Sequence, residues 1–218
     1  MPLFRSLQRI MEFFNKILLA IFPQKCFGCK KENEILCINC LEKISRPDTP
    51  FLNGIHISAN YQDFVLKKAL WALKYQGVKQ LAKPLAWLIK ERVWKKLETK
   101  DWIIIPIPLS KKRLRHRGYN QAELIARHMF NSQSDAVWGY SILSKIKETV
   151  SQVEIKEKEK RLANIIGSFH VEKPELVKGK KIILIDDVFT TGATINEAKK
   201  VLKQAGAKKV IGVVLARG

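Results

Sequence analysis

Lys180-Lys-Ile-Ile-Leu-Ile-Asp-Asp-Val-Phe-Thr-Thr-Gly-Ala-Thr194 decides how the chain is read. Ile182 to Ile185 form a short continuous apolar run, as a parallel strand covered on both faces requires. Two carboxylates, Asp186 and Asp187, follow at the expected end of that strand. A Thr/Gly turn comes next, then a helical stretch from Ile195 to Ala205. Gly206 closes that helix, and Val210 to Leu215 supplies the next strand of a β-α-β unit. In open parallel sheets, ligands bind beyond the carboxyl ends of the strands. Thr190, Thr191 and Thr194 offer hydroxyls there, and Gly192 and Ala193 open the helix whose partial positive charge favours an anion. A carboxylate pair beside a phosphate suits sugar hydroxyls, directly or through a divalent metal. The pieces describe a sugar-phosphate site; the plainer alternative is a strand-turn-helix with polar residues at its cap.

Upstream, Asp101-Trp-Ile-Ile-Ile-Pro-Ile-Pro108 is a second buried-strand candidate, ended by two prolines. Lys111-Lys-Arg-Leu-Arg-His-Arg-Gly-Tyr-Asn120 follows as a basic loop. Asn120 and Glu123 have capping-box spacing, which predicts a helix from Gln121 to about Phe130. Guanidinium groups bind phosphate oxygens in bidentate fashion, so Arg113, Arg115 and Arg117 are candidates for a pyrophosphate; the alternative is a solvated surface loop. Lys67 to Tyr75 reads as a helix ended at Lys74-Tyr-Gln-Gly77, and Leu81 to Leu97 as a second amphipathic helix. Trp71, Trp87 and Trp94 lie among the lysines of this region, as base stacking on a single strand needs, although tryptophans at helical spacing more often serve a core.

The 218 residues carry 40 Lys+Arg and 20 Asp+Glu, a formal net charge of +20, with 46% apolar residues. Such a chain can bury a sizeable core and is not a disordered basic tail. A run of roughly 18 uncharged apolar residues, the mark of a membrane-spanning helix, is missing. Residues 61–130 hold 16 basic and 5 acidic side chains, so more than half of the excess sits in one stretch and points to polyanion partners.

All four cysteines fall close together, as Cys26-Phe-Gly-Cys29 and Cys37-Ile-Asn-Cys40. Two C-x-x-C pairs supply enough thiolates to close a tetrahedral, structural Zn²⁺ site, with Gly28 suited to the knuckle's tight turn; iron is the main alternative. Before them, Leu3, Phe4, Leu7, Ile10, Met11, Phe14, Ile17, Leu18 and Ile21 recur at helical spacing. The helix expected at 1–22 would dock on protein or lie at a membrane surface. Arg46-Pro-Asp-Thr-Pro50 reads as a linker. The chain thus divides into a helix at 1–22, a four-cysteine zinc module at 23–46 and a main domain at 51–218.

Residues 182–194 resemble the signature of type I phosphoribosyltransferases, which bind phosphoribosyl pyrophosphate (PRPP). The resemblance implies an α/β fold: a parallel sheet flanked by helices, with the small zinc-ribbon-like module in front. It implies that Asp186 and Asp187, the catalytic candidates, contact the ribose hydroxyls. Thr190, Thr191, Gly192, Ala193 and Thr194 would hold the 5′-phosphate, and Mg²⁺ would accompany the pyrophosphate. The charged run from Glu154 to Arg161 occupies the place of the flexible lid of such enzymes, and otherwise reads as a solvated helix or loop.

The whole arrangement resembles the competence protein F (ComF/ComFC-like, including GntX-type) family. It is carried by the double C-x-x-C, Leu73-Lys-Tyr-Gln-Gly77, Ile105-Pro-Ile-Pro-Leu109, Arg113-Leu-Arg-His-Arg-Gly-Tyr-Asn-Gln121, Thr149-x-x-Gln152, Arg161-x-x-Asn164 and terminal Ala216-Arg217. That family implies natural transformation, the inward passage of single-stranded DNA at the cytoplasmic membrane. The expected partners are PRPP or a related sugar phosphate, single-stranded DNA contacted by Lys74 and the arginines, and a helicase or other DNA-uptake proteins. The expected location is cytoplasmic, with a peripheral membrane contact open. The alternative function is a phosphoribosyltransferase acting on a small acceptor.

Overall fold

A computed structural model describes residues 24–130, 136–139, 141–147 and 165–218. The helix expected at 1–22, the lid candidate at 154–161, Thr149-x-x-Gln152 and Arg161-x-x-Asn164 lie outside the described residues. The chain falls into two compact units, Met1–Lys43 and Ile44–Gly218.

In the first unit, an antiparallel bridge joins Lys25 and Glu32, and the short helix α1 (Ile38–Lys43) follows. The left-handed residue of the first knuckle is Lys30, at φ 65°, not Gly28 as expected. Lys30 donates its backbone N–H to the Cys26 carbonyl at 3.1 Å, and this bond closes the turn.

The second unit is built on a six-stranded sheet. Its elements are β1 (Phe51–Leu52), β2 (Ile55–Asn60), α2 (Phe64–Tyr75), α3 (Ala82–Arg92), β3 (Trp102–Pro106), α4 (Lys111–Arg117), α5 (Gln121–Met129), β4 (Val137–Trp138), β5 (Leu143–Lys145), β6 (Phe169–Val171), β7 (Lys181–Phe189), α6 (Ala193–Gln204) and β8 (Lys209–Arg217). The strand order is β1-β2-β8-β7-β3-β4. All pairs are parallel except the β1–β2 hairpin, whose Asn53-Gly54 turn has both residues at positive φ, as a right-twisted hairpin requires. β5 and β6 form a separate antiparallel ribbon. The α/β reading, a parallel sheet with helices on it, therefore holds.

β7 lies between β3 and β8, and its Ile182, Ile183, Leu184 and Ile185 are fully buried. Ile182 and Leu184 join a cluster with Ile195, Ala198 and Leu202 of α6 and Phe169 of β6. Ile183 and Ile185, on the other face, are covered from the side of α5. From β7 the chain moves through α6 to β8 on one side, whereas β3 leads to β4 on the other. The strand order reverses between β7 and β3, the place where open α/β sheets form ligand crevices.

Two expected elements differ. The stretch 81–97 is not one helix: α3 ends at Arg92, and Val93, at φ −124°, breaks it before a single 3₁₀ turn at Trp94–Lys96. A β-branched residue loses side-chain freedom in a helix and yields there at small cost. The basic stretch 111–117 is not a loop but α4, with the Ser110 hydroxyl accepting from the Arg113 N–H and Gly118 closing it at φ 76°.

Candidate functional site

Asp186 and Asp187 lie inside β7, which runs on to Phe189, rather than following its end. Side chains alternate across a strand, so the two carboxylates leave on opposite faces. Asp186 lines a depression of about 200 Å³, open to solvent, with Phe189, Thr190, Gly192, Ala193 and Thr194. Asp187 and Thr191 do not line it. Asp187 is 6% exposed and faces Lys74, whose Nζ lies 2.9 Å from its Oδ2.

This division explains the electrostatics. Burial, and then the neighbouring Asp187 charge, push the Asp186 carboxyl up to about 7. The Asp187 N–H donated to Asp186 Oδ1 at 2.8 Å, Lys74 and Lys145 offset only part of this. Burial opposes the Lys74 ammonium, but the charge and hydrogen bond of Asp187, with Asp186 behind, outweigh it and raise its pKa above the ordinary lysine value. Near neutral pH, Asp186 therefore presents a carboxyl that can both donate and accept, which suits hydroxyl groups.

Beyond Phe189 the chain turns through Thr190 and Thr191 into α6. Gly192 sits at φ 78°, and a Cβ there would come within 2.6 Å of the Phe189 ring, so the turn needs glycine on both counts. Gly192, at the cap position of α6, has no side chain to offer, and the Thr191 hydroxyl accepts from the Ala193 N–H at 3.4 Å. The first N–H groups of a helix have no intrahelical acceptor, and here they border the depression. Thr190 and Thr194 place hydroxyls on the same rim.

Lys74 reaches the site from the last turn of α2. The Asp63 carboxylate caps the start of that helix, accepting from the N–H groups of Val65 and Leu66 at 3.0 and 3.1 Å. Its end is tied to the basic segment: the Tyr119 hydroxyl donates to the Leu73 carbonyl, the Arg117 guanidinium lies 5.5 Å from the Tyr75 ring, and Lys79 lies over Tyr119. Arg117 also donates to Gln121. Arg113 is half-buried and Arg115 exposed on the preceding turn of α4. Asn120 caps α5, accepting from Ala122 N–H at 3.0 Å, and donates to the Ile107 carbonyl at 2.9 Å. The other half of the expected capping box does not form, because Glu123 pairs with Arg127 at 2.8 Å.

In the first unit, the Sγ atoms of Cys26, Cys29, Cys37 and Cys40 all lie within 4.8 Å of one another. Cys37 Sγ is 3.7 Å from Cys26 Sγ and 3.6 Å from Cys29 Sγ. A tetrahedral ion with metal–sulfur bonds of about 2.3 Å has edges of about 3.8 Å, so the set fits one such ion. Burial pushes the Cys26 thiol up, but N–H groups of Cys37, Cys29 and Gly28 prevail and bring it down to about 6. Burial and the neighbouring thiols push Cys40 up to about 12. A bound dication is what stabilises four thiolates at this spacing. The cluster can hold a metal such as zinc.

Comparison with known proteins agrees with this arrangement. A phosphoribosyl transferase domain model matches residues 117–218, which include β7, the threonine turn and α6. The competence protein ComFC of Streptococcus pneumoniae is 36% identical over 211 residues, covering 86% of this chain and 90% of that protein. The chain belongs to the ComF competence protein family. Competence protein F of Haemophilus influenzae is 30% identical over 90% of this chain and 85% of its own length. ComFC of Bacillus subtilis is 31% identical over 67% of this chain and 56% of its own length.

For a ComF protein read from sequence, the site contains two surprises. Lys74, an anion-contact candidate, is paired with a carboxylate. Lys145, on β5, is not among the residues that the sequence points to, yet its charge acts on Asp186. No local motif marks Lys145; the β5–β6 pairing sets Lys145 opposite Phe169. Among the described residues, no helix is long and apolar enough to cross a membrane.

Proposed function

We propose that this ComF-family protein serves DNA uptake in natural transformation, at the cytoplasmic side of the membrane, and that its second unit binds PRPP with Mg²⁺. The observation that carries this reading is the Asp186 carboxyl sharing one depression with the Thr190–Thr194 turn and the start of α6. In this reading Thr190, Thr194 and the N–H groups of the turn and α6 hold the 5′-phosphate. Asp186 takes a ribose hydroxyl. Asp187, on the opposite face of β7, keeps its ion pair with Lys74, and Arg117 takes the pyrophosphate. Arg113 and Arg115 extend the basic surface for pyrophosphate or DNA. The Mg²⁺ supplies charge neutralisation of the pyrophosphate. In the first unit, the four cysteines hold a structural zinc ion.

Single-stranded DNA is the macromolecular partner in this reading, since the 16 basic residues of 61–130 outnumber the 5 acidic ones. A helicase or another DNA-uptake protein, or the membrane surface, is assigned to the segment before residue 24.

The same depression supports a second reading, transfer of the phosphoribosyl group to a small acceptor. The C1–O bond to pyrophosphate would break, a bond from C1 to the acceptor would form, and the acceptor would lose a proton. Calorimetry with PRPP and Mg²⁺, comparing wild type with Asp186→Asn, tests the site. Tight binding weakened at least about ten-fold by the substitution supports it; no binding to wild type overturns it. Release of pyrophosphate with an acceptor would favour the transferase reading over binding alone.

A further inference from the structure

Three large side chains of α2 stand in solvent on one face: Phe64 is 76% exposed, Trp71 53% and Tyr75 57%. At 3.6 residues per turn, positions seven and eleven residues after Phe64 fall within about 20° of it, so the three form one stripe along the helix. The opposite face, Leu66, Ala69, Leu70 and Leu73, is fully buried, so the stripe is not needed for the core. A helix exposing this much aromatic surface has a use for it. Lys67 and Lys68 flank the stripe on the same helix. Trp71 and Tyr75 are neighbours, with ring centroids 6.0 Å apart and planes tilted by 47°. The Arg117 guanidinium lies 5.5 Å from the outer Tyr75 ring and leads on to the rest of α4.

We propose that this face of α2, continued by α4, is the surface on which a single-stranded polynucleotide lies, its bases on Phe64, Trp71 and Tyr75 and its phosphates on Lys67, Lys68 and the exposed Arg115. Aromatic faces interleaved with cations suit an unpaired strand, whose bases are free to stack, better than a duplex, whose bases are already stacked. The stripe lies within residues 61–130, where the chain's positive excess is concentrated. It also sorts the candidate stacking residues: Trp71 is exposed, whereas Trp87 and Trp94 are half-buried. This inference rests on the reading that single-stranded DNA is a partner, and it adds the site.

Fluorescence anisotropy with labelled oligo(dT) of about 20 nucleotides, on the full chain, tests it. Wild type should bind, more weakly as salt rises, and prefer the strand to a duplex of equal length. Trp71→Ala and Tyr75→Ala should each weaken binding roughly ten-fold with the salt dependence little changed, and the highly exposed Phe64→Ala should weaken it without altering the thermal transition. Lys67→Gln/Lys68→Gln should instead reduce the salt slope, by about 0.7 for each phosphate no longer neutralised. Wild-type binding unchanged by all three aromatic substitutions would overturn the site but leave the partner standing. Failure of wild type to bind the strand, or binding to vesicles with anionic headgroups in its place, would overturn the partner and the site together. PRPP calorimetry on Phe64→Ala, Trp71→Ala and Lys67→Gln/Lys68→Gln should match wild type, which separates this surface from the pentose site.

Discussion

Lys74 of α2 and Asp187 of β7 form an ion pair of 2.9 Å, with 19% and 6% of their side chains exposed. The pair joins the end of an exposed helix to the central strand and stands on the opposite face of β7 from the depression lined by Asp186. It makes the acidic dipeptide asymmetric: one carboxylate is held by Lys74, and burial forces the other toward neutrality.

Removing one partner leaves a nearly buried charge alone. Lys74→Met should destabilise the second unit by about 3 kcal/mol, read as a lower urea midpoint with an unchanged slope. Lys74→Met/Asp187→Asn should recover part of that loss, and additive single effects would show that the pair is not coupled.

Asp186 makes a sign-specific prediction about pH. Its folded pKa, about 7, is raised above the ordinary 3.8, so the folded state holds more protons between those values. Stability should therefore fall as pH rises from about 4 to 7, the reverse of the usual paired carboxylate. Asp186→Asn, which keeps an acceptor for the Asp187 N–H, should stabilise by about 1–3 kcal/mol at pH 8. The gain should vanish below about pH 4, as followed by thermal unfolding at each pH.

Gly192 makes the turn. Gly192→Ala meets both a positive φ and the Phe189 ring at 2.6 Å. It should cost about 2–3 kcal/mol and lose PRPP binding, which differential calorimetry and titration would show separately.

The cysteine cluster should bind one metal ion per chain by elemental analysis, and Cys37→Ser should reduce that to a small fraction. Acid should release the metal as protons compete for the thiolates. Metal content unaffected by Cys37→Ser would remove this residue from the ligand set.

Asn120→Ala should cost about 1–2 kcal/mol, because it removes both the α5 cap and the bond to the Ile107 carbonyl. Glu123→Ala should cost only a few tenths, since Glu123 makes an exposed pair with Arg127 rather than the reciprocal cap.

Some features are legible because their causes are local. A short run of β-branched and apolar residues such as Ile182–Ile185 is what a strand buried on both faces requires. The Gly192 turn follows from glycine's tolerance of positive φ, and the paired C-x-x-C spacing brings four thiolates together with little chain between them. The basic segment 111–117 differs from the loop expected there because charge is not a signal of loop. Lysine and arginine are good helix formers, and Ser110 and Gly118 provide the two caps. The break at Val93 leaves no mark in the pattern, because amphipathic spacing continues past it into Trp94–Lys96.

Composition, periodicity and motif spacing thus specified the β-α-β unit, the Thr/Gly turn and the thiolate set, all of which depend on neighbours along the chain. Register and pairing across the fold decided the rest. That Asp186 and Asp187 point apart depends on β7 continuing to Phe189. That Lys74 meets Asp187, that Lys145 acts on Asp186, and that Trp71 is exposed while Trp87 and Trp94 are half-buried depend on how α2, α3 and the β5–β6 ribbon lie against the sheet. An electrostatic contact falls off with distance in space, not along the chain, so residues far apart in sequence acquire their charge state and their exposure only once the sheet has assembled.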